Sequence, residues 1–138
     1  MAGPDDMPTP GLEPAFTLAA PLGSPVVIGR LATGGRRVYV PLAQGRFSGE
    51  GIEAEVMSGG ETWLERPDGV TVVEASILVR TAAGDVLRLI GTGYRVDRTR
   101  MTIVFEADED GPHAALTTRA FVAERTADGD LLAIERIT

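Results

Sequence analysis

The sequence predicts an all-β fold, an antiparallel meander that is closed or nearly closed into a barrel. The 138 residues include 17 glycines and 9 prolines, which interrupt regular structure often. No window of 11–18 residues carries the 3.6-residue apolar period of an amphipathic helix. Short apolar runs separated by turn residues are typical of all-β domains. A long meander must protect its edge strands, and closure into a barrel does so completely. A two-sheet sandwich is the alternative architecture.

Ten segments are predicted to be strands, and three of the links between them are sharp turns. Ala-Ala-Gly-Asp at 82–85 and Ala-Asp-Gly-Asp at 127–130 each contain a glycine that can adopt positive φ, and Pro-Asp-Gly at 67–69 adds a fixed φ. Tight turns of this kind join neighbouring antiparallel strands. The predicted strands are 12–20, 26–31, 36–42, 52–58, 62–65, 70–81, 86–93, 101–107, 114–125 and 131–137.

Composition predicts one soluble domain, residues 12–138, preceded by a disordered tail, residues 1–11. The tail is rich in proline, glycine and aspartate. The net charge is −7, which disfavours nucleic acid as a partner. The chain shows no signal peptide and no apolar run long enough for a membrane span, so we expect a cytoplasmic protein. The absence of cysteine and the single histidine leave no recognisable metal site.

The predicted strand 70–81 is apolar on both faces. Val73, Ala75 and Ile77 share one face, and Val72 and Leu78 share the other. A strand of this composition is covered on both sides. A barrel interior accounts for one face, so we expect a second copy of the chain to cover the other, in a homodimer or a larger homo-oligomer.

Glu74 is the strongest candidate for a catalytic residue. It is the only charged residue between Asp68 and Arg80, and strand parity places it with Ser76 among apolar or small neighbours. A carboxylate among such neighbours can serve as a general acid or base. In the functional interpretation Glu74 points into the barrel, with Glu61 or Tyr39 nearby. In the alternative interpretation its face meets solvent and Glu74 is an ordinary surface charge.

Several short motifs occur in a fixed order along the chain. The most specific are Gly-Arg-Phe-Ser-Gly and, after it, Gly-Gly-Glu-Thr-Trp. With the others they make the chain resemble the DUF3237 or UPF0311 family. The resemblance implies a β-barrel with a central cavity for a small apolar ligand, similar in outline to allene oxide cyclase. The segments that carry it are 12–18, 36–41, 45–49, 56–63, 66–69, 78–84 and 91–95.

This sequence departs from the family pattern at three places. The usual Asp before the tryptophan is Thr62, the usual Arg-Tyr pair is Ser76-Ile77, and the usual Trp-Leu-Asn is 115–117, Ala-Leu-Thr. If the usual Asp and Arg face one pocket, two charges have been exchanged for hydroxyls. The pocket would then be less polar and would suit a different ligand.

These observations predict a cofactor-independent isomerase or cyclase acting on a hydrophobic small molecule in the barrel cavity, in secondary metabolism. The alternatives are a non-catalytic binding barrel and an oligomerising domain with a packed interior. Gly59-Gly60 is interpreted as a β-bulge that re-aims the side chains after it. The predicted catalytic residues are Glu74, Glu61 and Tyr39, and the predicted ligand contacts are Trp63, Phe47, Met57, Ser76 and Tyr94.

Overall fold

The computed structural model describes residues 8–138, which form ten strands and one short 3-10 helix at Ala114–Thr118. All neighbouring strands are antiparallel, as the sharp turns predict. The strands are β1 (Leu12–Ala19), β2 (Val26–Arg30), β3 (Arg36–Pro41), β4 (Arg46–Gly49), β5 (Ile52–Glu65), β6 (Thr71–Thr81), β7 (Val86–Arg95), β8 (Thr99–Glu106), β9 (Phe121–Arg125) and β10 (Leu131–Ile137).

Eight strands close into a barrel, and two extend from its wall. Around the barrel the order is β5-β4-β1-β10-β9-β8-β7-β6, and β6 pairs with β5 to complete the circle. The first residues of β5 pair with β4, whereas its last six residues pair with β3, which carries β2 on its other edge. The closed antiparallel barrel confirms the predicted fold class over the sandwich alternative.

A cluster of phenylalanines fills part of the barrel interior. All four phenylalanines of the chain lie there, and Phe16 stacks on Phe47 with ring centroids 4.7 Å apart. Phe105 and Phe121 meet edge to face at 5.0 Å. Each ring lies on the inward face of its strand, because alternate residues of a strand point to opposite sides of the wall. This cluster is the centre of the hydrophobic core.

The predicted turns at 67–69, 82–85 and 127–130 each join two consecutive strands. Gly69, Gly84 and Gly129 all have positive φ. In the first turn, the side chain of Arg66 and the amide of Val70 donate hydrogen bonds to Asp68, and these bonds lower the pKa of the Asp68 carboxyl. The turn residues therefore predicted these three hairpins correctly.

Three predicted segments differ from the structure. The segments 52–58 and 62–65 are one continuous strand, β5, because the residues between them stay paired with β6. The four-residue β4 was missed. The segment 114–125 is not a single strand, because residues 114–118 form the 3-10 helix and only Phe121–Arg125 pair in the sheet.

Gly11, just before β1, is paired with the C-terminal end of the chain. The Gly11 amide donates a hydrogen bond to the carbonyl of Thr138 at 3.2 Å, and the Thr138 amide donates one to Gly11 at 3.0 Å. Gly11, the last residue of the predicted tail, residues 1–11, is thus hydrogen-bonded to Thr138, and residues 1–7 of that tail lie outside the described residues. Within residues 8–138 no helix has the length and apolarity that a bilayer crossing requires.

Candidate functional site

Glu74 lies on the outer wall of the barrel. The inward face of β6 carries Val73, Ala75 and Ile77, all buried, whereas Glu74 and Ser76 are exposed. The prediction that Glu74 points into the barrel is therefore wrong. The prediction that Glu74 and Ser76 share one face of β6 is correct. Because β6 carries apolar residues on both faces, the sequence pattern did not reveal which face points into the barrel.

A band of hydroxyl groups crosses the outer wall on both sides of Glu74. In the sheet register Tyr39 pairs with Thr62, Thr62 with Glu74, and Glu74 with Thr92. Thr92 and Thr102 continue the band, with their hydroxyl oxygens 3.3 Å apart. The Glu74 carboxylate thus lies between two threonines and forms no ion pair within 4 Å among residues 8–138.

The outer-wall band passes through a groove of about 500 Å³, here called the smaller groove. Tyr39, Glu74 and Ser76 all line it, so the structure brings three of the predicted site residues together, outside the barrel. The side chains that complete its lining include Thr62, Leu78, Arg88, Ile90 and Thr92. Its volume lies in the range of small-molecule sites.

Arg88 brings a positive charge to the smaller groove. Its Nε donates a hydrogen bond to Ser76 Oγ at 3.0 Å, and its Nη1 donates one to Glu106 Oε1 at 2.8 Å. These two bonds fix the plane of the guanidinium group. Ser76 therefore acts as a positioning partner for Arg88 as well as a part of the lining.

The two glycines of the Gly-Gly-Glu-Thr-Trp motif permit close approaches on opposite sides of β5. A Cβ at Gly59, where φ is +143°, would lie 2.5 Å from the carbonyl oxygen of Ser76. A Cβ at Gly60 would lie 2.6 Å from Tyr39 Oη. Gly60 thus lets the Tyr39 hydroxyl lie against the strand. The β-bulge lies two residues before the predicted position at Gly59, because the register with β6 shifts between Val56 and Ser58.

A second groove, of about 780 Å³ and here called the larger groove, runs across the outer wall from β6 to β10. It meets the smaller groove at Glu74 and Thr92, which line both. Tyr94, another predicted ligand contact, lies in the larger groove and is 57% exposed. Outward side chains such as Val72, Val122 and Ala133 form its apolar floor.

The predicted residues Glu61 and Trp63 point inward, away from both grooves. Glu61 is completely buried and accepts two hydrogen bonds, from Trp63 Nε1 at 2.9 Å and from Arg125 Nη2 at 2.5 Å. Arg125 is also buried, and its Nη1 donates to the carbonyl of Gly129 at 3.1 Å. The guanidinium of Arg95 lies 4.6 Å from the centroid of the Trp63 ring, which is a cation–π contact. This arrangement joins β5 to β9 through the barrel.

Two predicted ligand contacts occupy positions that do not reach a groove. Phe47 is fully buried in the phenylalanine cluster, because it lies on the inward face of β4. Met57 is the extra residue at the β5 bulge, is exposed, and lies outside the lining of both grooves.

Sequence reasoning missed Arg88 and Arg125. The signal for Arg88 was its position on the strand next to that of Glu74, three residues after the predicted turn 82–85, but its partner Glu106 is 18 residues away. Arg125 and Glu61 are 64 residues apart, and no local pattern connects them. Three or more acidic or histidine side chains that could hold a metal ion do not cluster anywhere in the described part of the chain.

Two of the positions that depart from the family pattern face the same groove. Thr62 and Ser76 both line the smaller groove, whereas Ile77 is buried in the core. The two exchanges of a charge for a hydroxyl that the resemblance implies therefore concern this groove on the outer wall, whereas the exchange at Ile77 lies in the barrel interior.

A family model described as a protein of unknown function, DUF3237, matches residues 10–98. A UPF0311 protein of Rhodopseudomonas palustris is 33% identical over 90 residues, which are 63% of this chain and 58% of that protein. One of Clostridium acetobutylicum is 29% identical over 84 residues, 60% of this chain. These alignments span somewhat more than half the length of the curated relatives, 53% for the clostridial protein.

Solved structures share the fold along nearly the whole chain. A protein of unknown function from Clostridium acetobutylicum superposes with a TM-score of 0.83 at 23% identity, over 94% of this chain and 100% of that one. A structure described as an enzyme from Penicillium herquei superposes with a TM-score of 0.80 at 16% identity, over 96% of this chain and 98% of that one. At these identities the likeness shows the fold.

Proposed function

This chain belongs to the DUF3237 family, and we propose that it is a cofactor-independent isomerase or cyclase whose hydrophobic small-molecule substrate binds in the smaller groove. The observation that carries the proposal is the position of Glu74. Its carboxylate has no ion-pair partner among residues 8–138 and lies in a groove with the Tyr39 hydroxyl and the Arg88 guanidinium. The site differs from the one that the sequence predicted, because it lies on the outer wall.

The groups of the smaller groove suit a proton transfer within one molecule. Glu74 would accept a proton from a hydroxyl group, or from a carbon next to a carbonyl group, of the bound molecule. The Arg88 guanidinium would stabilise negative charge that develops on an oxygen, because its hydrogen bonds to Ser76 and Glu106 orient it before the reaction begins. Glu74 would then return the proton to another atom of the same molecule, so the reaction needs no oxidant and no cofactor.

The lining favours a substrate that is largely apolar and carries one or two oxygen atoms. Leu78 and Ile90 offer apolar surface, whereas Thr62 and Thr92 offer hydroxyl groups on either side of Glu74. The Penicillium herquei neighbour is described as an enzyme, which supports the idea that a barrel of this shape can host catalysis. The place of the reaction in secondary metabolism is part of the same proposal.

The second candidate function is non-catalytic binding of the same class of ligand. The observation that favours it is the openness of the site: Glu74 and Ser76 are both exposed, so water reaches the groups that would carry the chemistry. Proton transfer gains most where the site excludes water.

Glu74→Gln tests the proposal and separates the two candidates. A panel of polycyclic and polyene ketones and phenols is screened for binding by NMR shifts of the Thr62 and Thr92 amides. Turnover is detected by chromatography and mass spectrometry, as a product that has the mass of the substrate but a different retention time. We expect wild-type turnover, and we expect the variant to fold and bind but to convert at least 100-fold more slowly, as loss of a general base does. Binding without turnover in the wild type would favour the carrier.

The matched control is Glu53→Gln, which changes an exposed glutamate of β5 that lies outside both grooves. Its turnover should equal that of the wild type. Ligand-induced shifts that avoid Thr62 and Thr92 would overturn the placement of the site in the smaller groove.

A further inference from the structure

The strand β2 is exposed on both faces. It pairs with β3 alone, and its apolar residues Val26, Val27 and Ile28 are 55%, 53% and 64% exposed. Val27 pairs with Val38 and Val26 with Tyr39, so these two side chains point to opposite sides of the sheet. Apolar side chains that face water on both sides of an edge strand are typical of a contact surface. We call β2, β3 and the turn between them, residues 26–41, the arm.

The arm is basic in an acidic chain. It contains Arg30, Arg36 and Arg37, and the chain has no acidic residue between Glu13 and Glu50, although its net charge is −7. Arg36 pairs with Glu65 of β5. Arg30 and Arg37 form no ion pair within 4 Å among the residues that the structure describes. The arm therefore presents apolar surface together with unmatched positive charge.

The larger groove has the complementary character. Its floor is apolar, and Glu74 and Glu135 on its sides have no ion-pair partner in residues 8–138. Arg98 and Arg100 also line the groove, and both are paired with Glu124. The groove is open along the outer wall, and its volume of about 780 Å³ is large enough for several side chains of a strand.

We propose that the chain self-associates by docking the arm of one copy into the larger groove of another. Val26 and Ile28 would cover the apolar floor, and Arg30 or Arg37 would approach Glu135. Pairing of two β2 edges is less suitable, because it would satisfy the backbone but leave both apolar faces of β2 in water. The proposal goes beyond the proposed function and gives the expected homo-oligomer a specific interface.

Sedimentation velocity at 10–100 µM protein (about the range in which weak dimers form) is the first test. We expect the wild type to be dimeric or larger and Ile28→Asp to be monomeric with an unchanged circular dichroism spectrum, because Ile28 is mostly exposed. The matched control, Val86→Asp, changes an exposed valine outside the arm and the larger groove, and should associate like the wild type. Val26→Asp serves as a second arm variant if Ile28→Asp does not fold.

A wild-type monomer, or an arm variant that still associates, would overturn the proposal. Disulfide trapping is the second test and locates the contact, since the chain has no cysteine of its own that could react. Ile28→Cys mixed with Val122→Cys should give a cross-linked pair, while Ile28→Cys alone should stay uncross-linked. Rapid self-cross-linking of Ile28→Cys without the mixed product would show that two β2 edges pair instead, and would also overturn it.

Discussion

The Arg125 guanidinium and the Glu61 carboxylate form an ion pair inside the barrel, with 2.5 Å between Nη2 and Oε2. Their side chains are 3% and 0% exposed. Trp63 and the carbonyl of Gly129 satisfy further hydrogen-bonding groups of the pair, so both charges are compensated in a place where an unpaired charge would be costly. Glu61, which the sequence predicted to be catalytic, thus has the surroundings of a structural ion pair.

Replacement of Glu61 by glutamine should destabilise the protein strongly. The variant keeps the shape of the side chain but leaves the Arg125 charge buried without a counterion, and loss of one partner of such a pair costs about 3–5 kcal/mol. Urea unfolding should show this decrease in the free energy of unfolding. Glu55→Gln, a change in an exposed ion pair with Arg46, should cost less than about 1 kcal/mol. Equal losses in the two variants would contradict the structural role.

Trp63→Phe should destabilise the barrel without weakening ligand binding in the smaller groove. Phenylalanine fills much of the same volume but cannot donate a hydrogen bond to Glu61 Oε1, and a buried acceptor that loses its donor costs about 1–3 kcal/mol. Thermal unfolding and NMR titration measure the two effects separately. A loss of affinity with unchanged stability would mean that Trp63 contacts the ligand.

Phe47→Ala should cost about 3–5 kcal/mol, the range for deletion of a large side chain from a packed core. Phe47 is fully buried and stacks on Phe16, so the substitution leaves a cavity in the phenylalanine cluster. Chemical denaturation with Tyr94→Ala as the control checks the prediction, since Tyr94 is mostly exposed and its loss should cost less than about 1 kcal/mol. A small effect at Phe47 would indicate that the cluster is loosely packed.

Gly60→Ala should disturb the smaller groove through Tyr39. The added Cβ would lie 2.6 Å from Tyr39 Oη and 2.7 Å from the Val40 carbonyl oxygen, so the ring must move and the strands must separate slightly. We expect a loss of about 1–3 kcal/mol, the usual cost of overpacking, and changed NMR shifts at Thr62. Gly111→Ala, where the nearest atom is 3.3 Å away and φ is not positive, should leave both properties unchanged.

Local chemistry predicted the hairpins well, because a turn such as 82–85 carries its own conformational signal in Gly84 and Asp85. The strand parity of β8 is equally informative, since Met101, Ile103 and Phe105 share the buried face, whereas Arg100, Thr102 and Glu106 are exposed on the other. The four-residue β4 carries a single large apolar residue, Phe47, which is too little for a periodic pattern to reveal.

The site was harder to predict than the fold. The strand β6 is apolar on both faces, so parity grouped Glu74 with Ser76 correctly but gave no sign of which face points inward. The grouping of Tyr39 with Glu74 depends on the order of three strands in the wall, and the pairing of Glu61 with Arg125 depends on closure of the barrel. These contacts depend on how distant strands are arranged in the tertiary structure, so no local sequence pattern predicts them.

The pairing of β1 with β10 has a consequence for the order in which the barrel assembles. Leu12 lies opposite Ile137, so this seam joins segments that are 125 positions apart, whereas the hairpins from β5 to β8 join near neighbours. Loop-closure entropy makes a distant contact slow to form, and we expect the seam to close late in folding. A circular permutant that links Thr138 to Gly11 and opens the chain at 82–85 would turn the seam into a hairpin, and the same native barrel should then form faster.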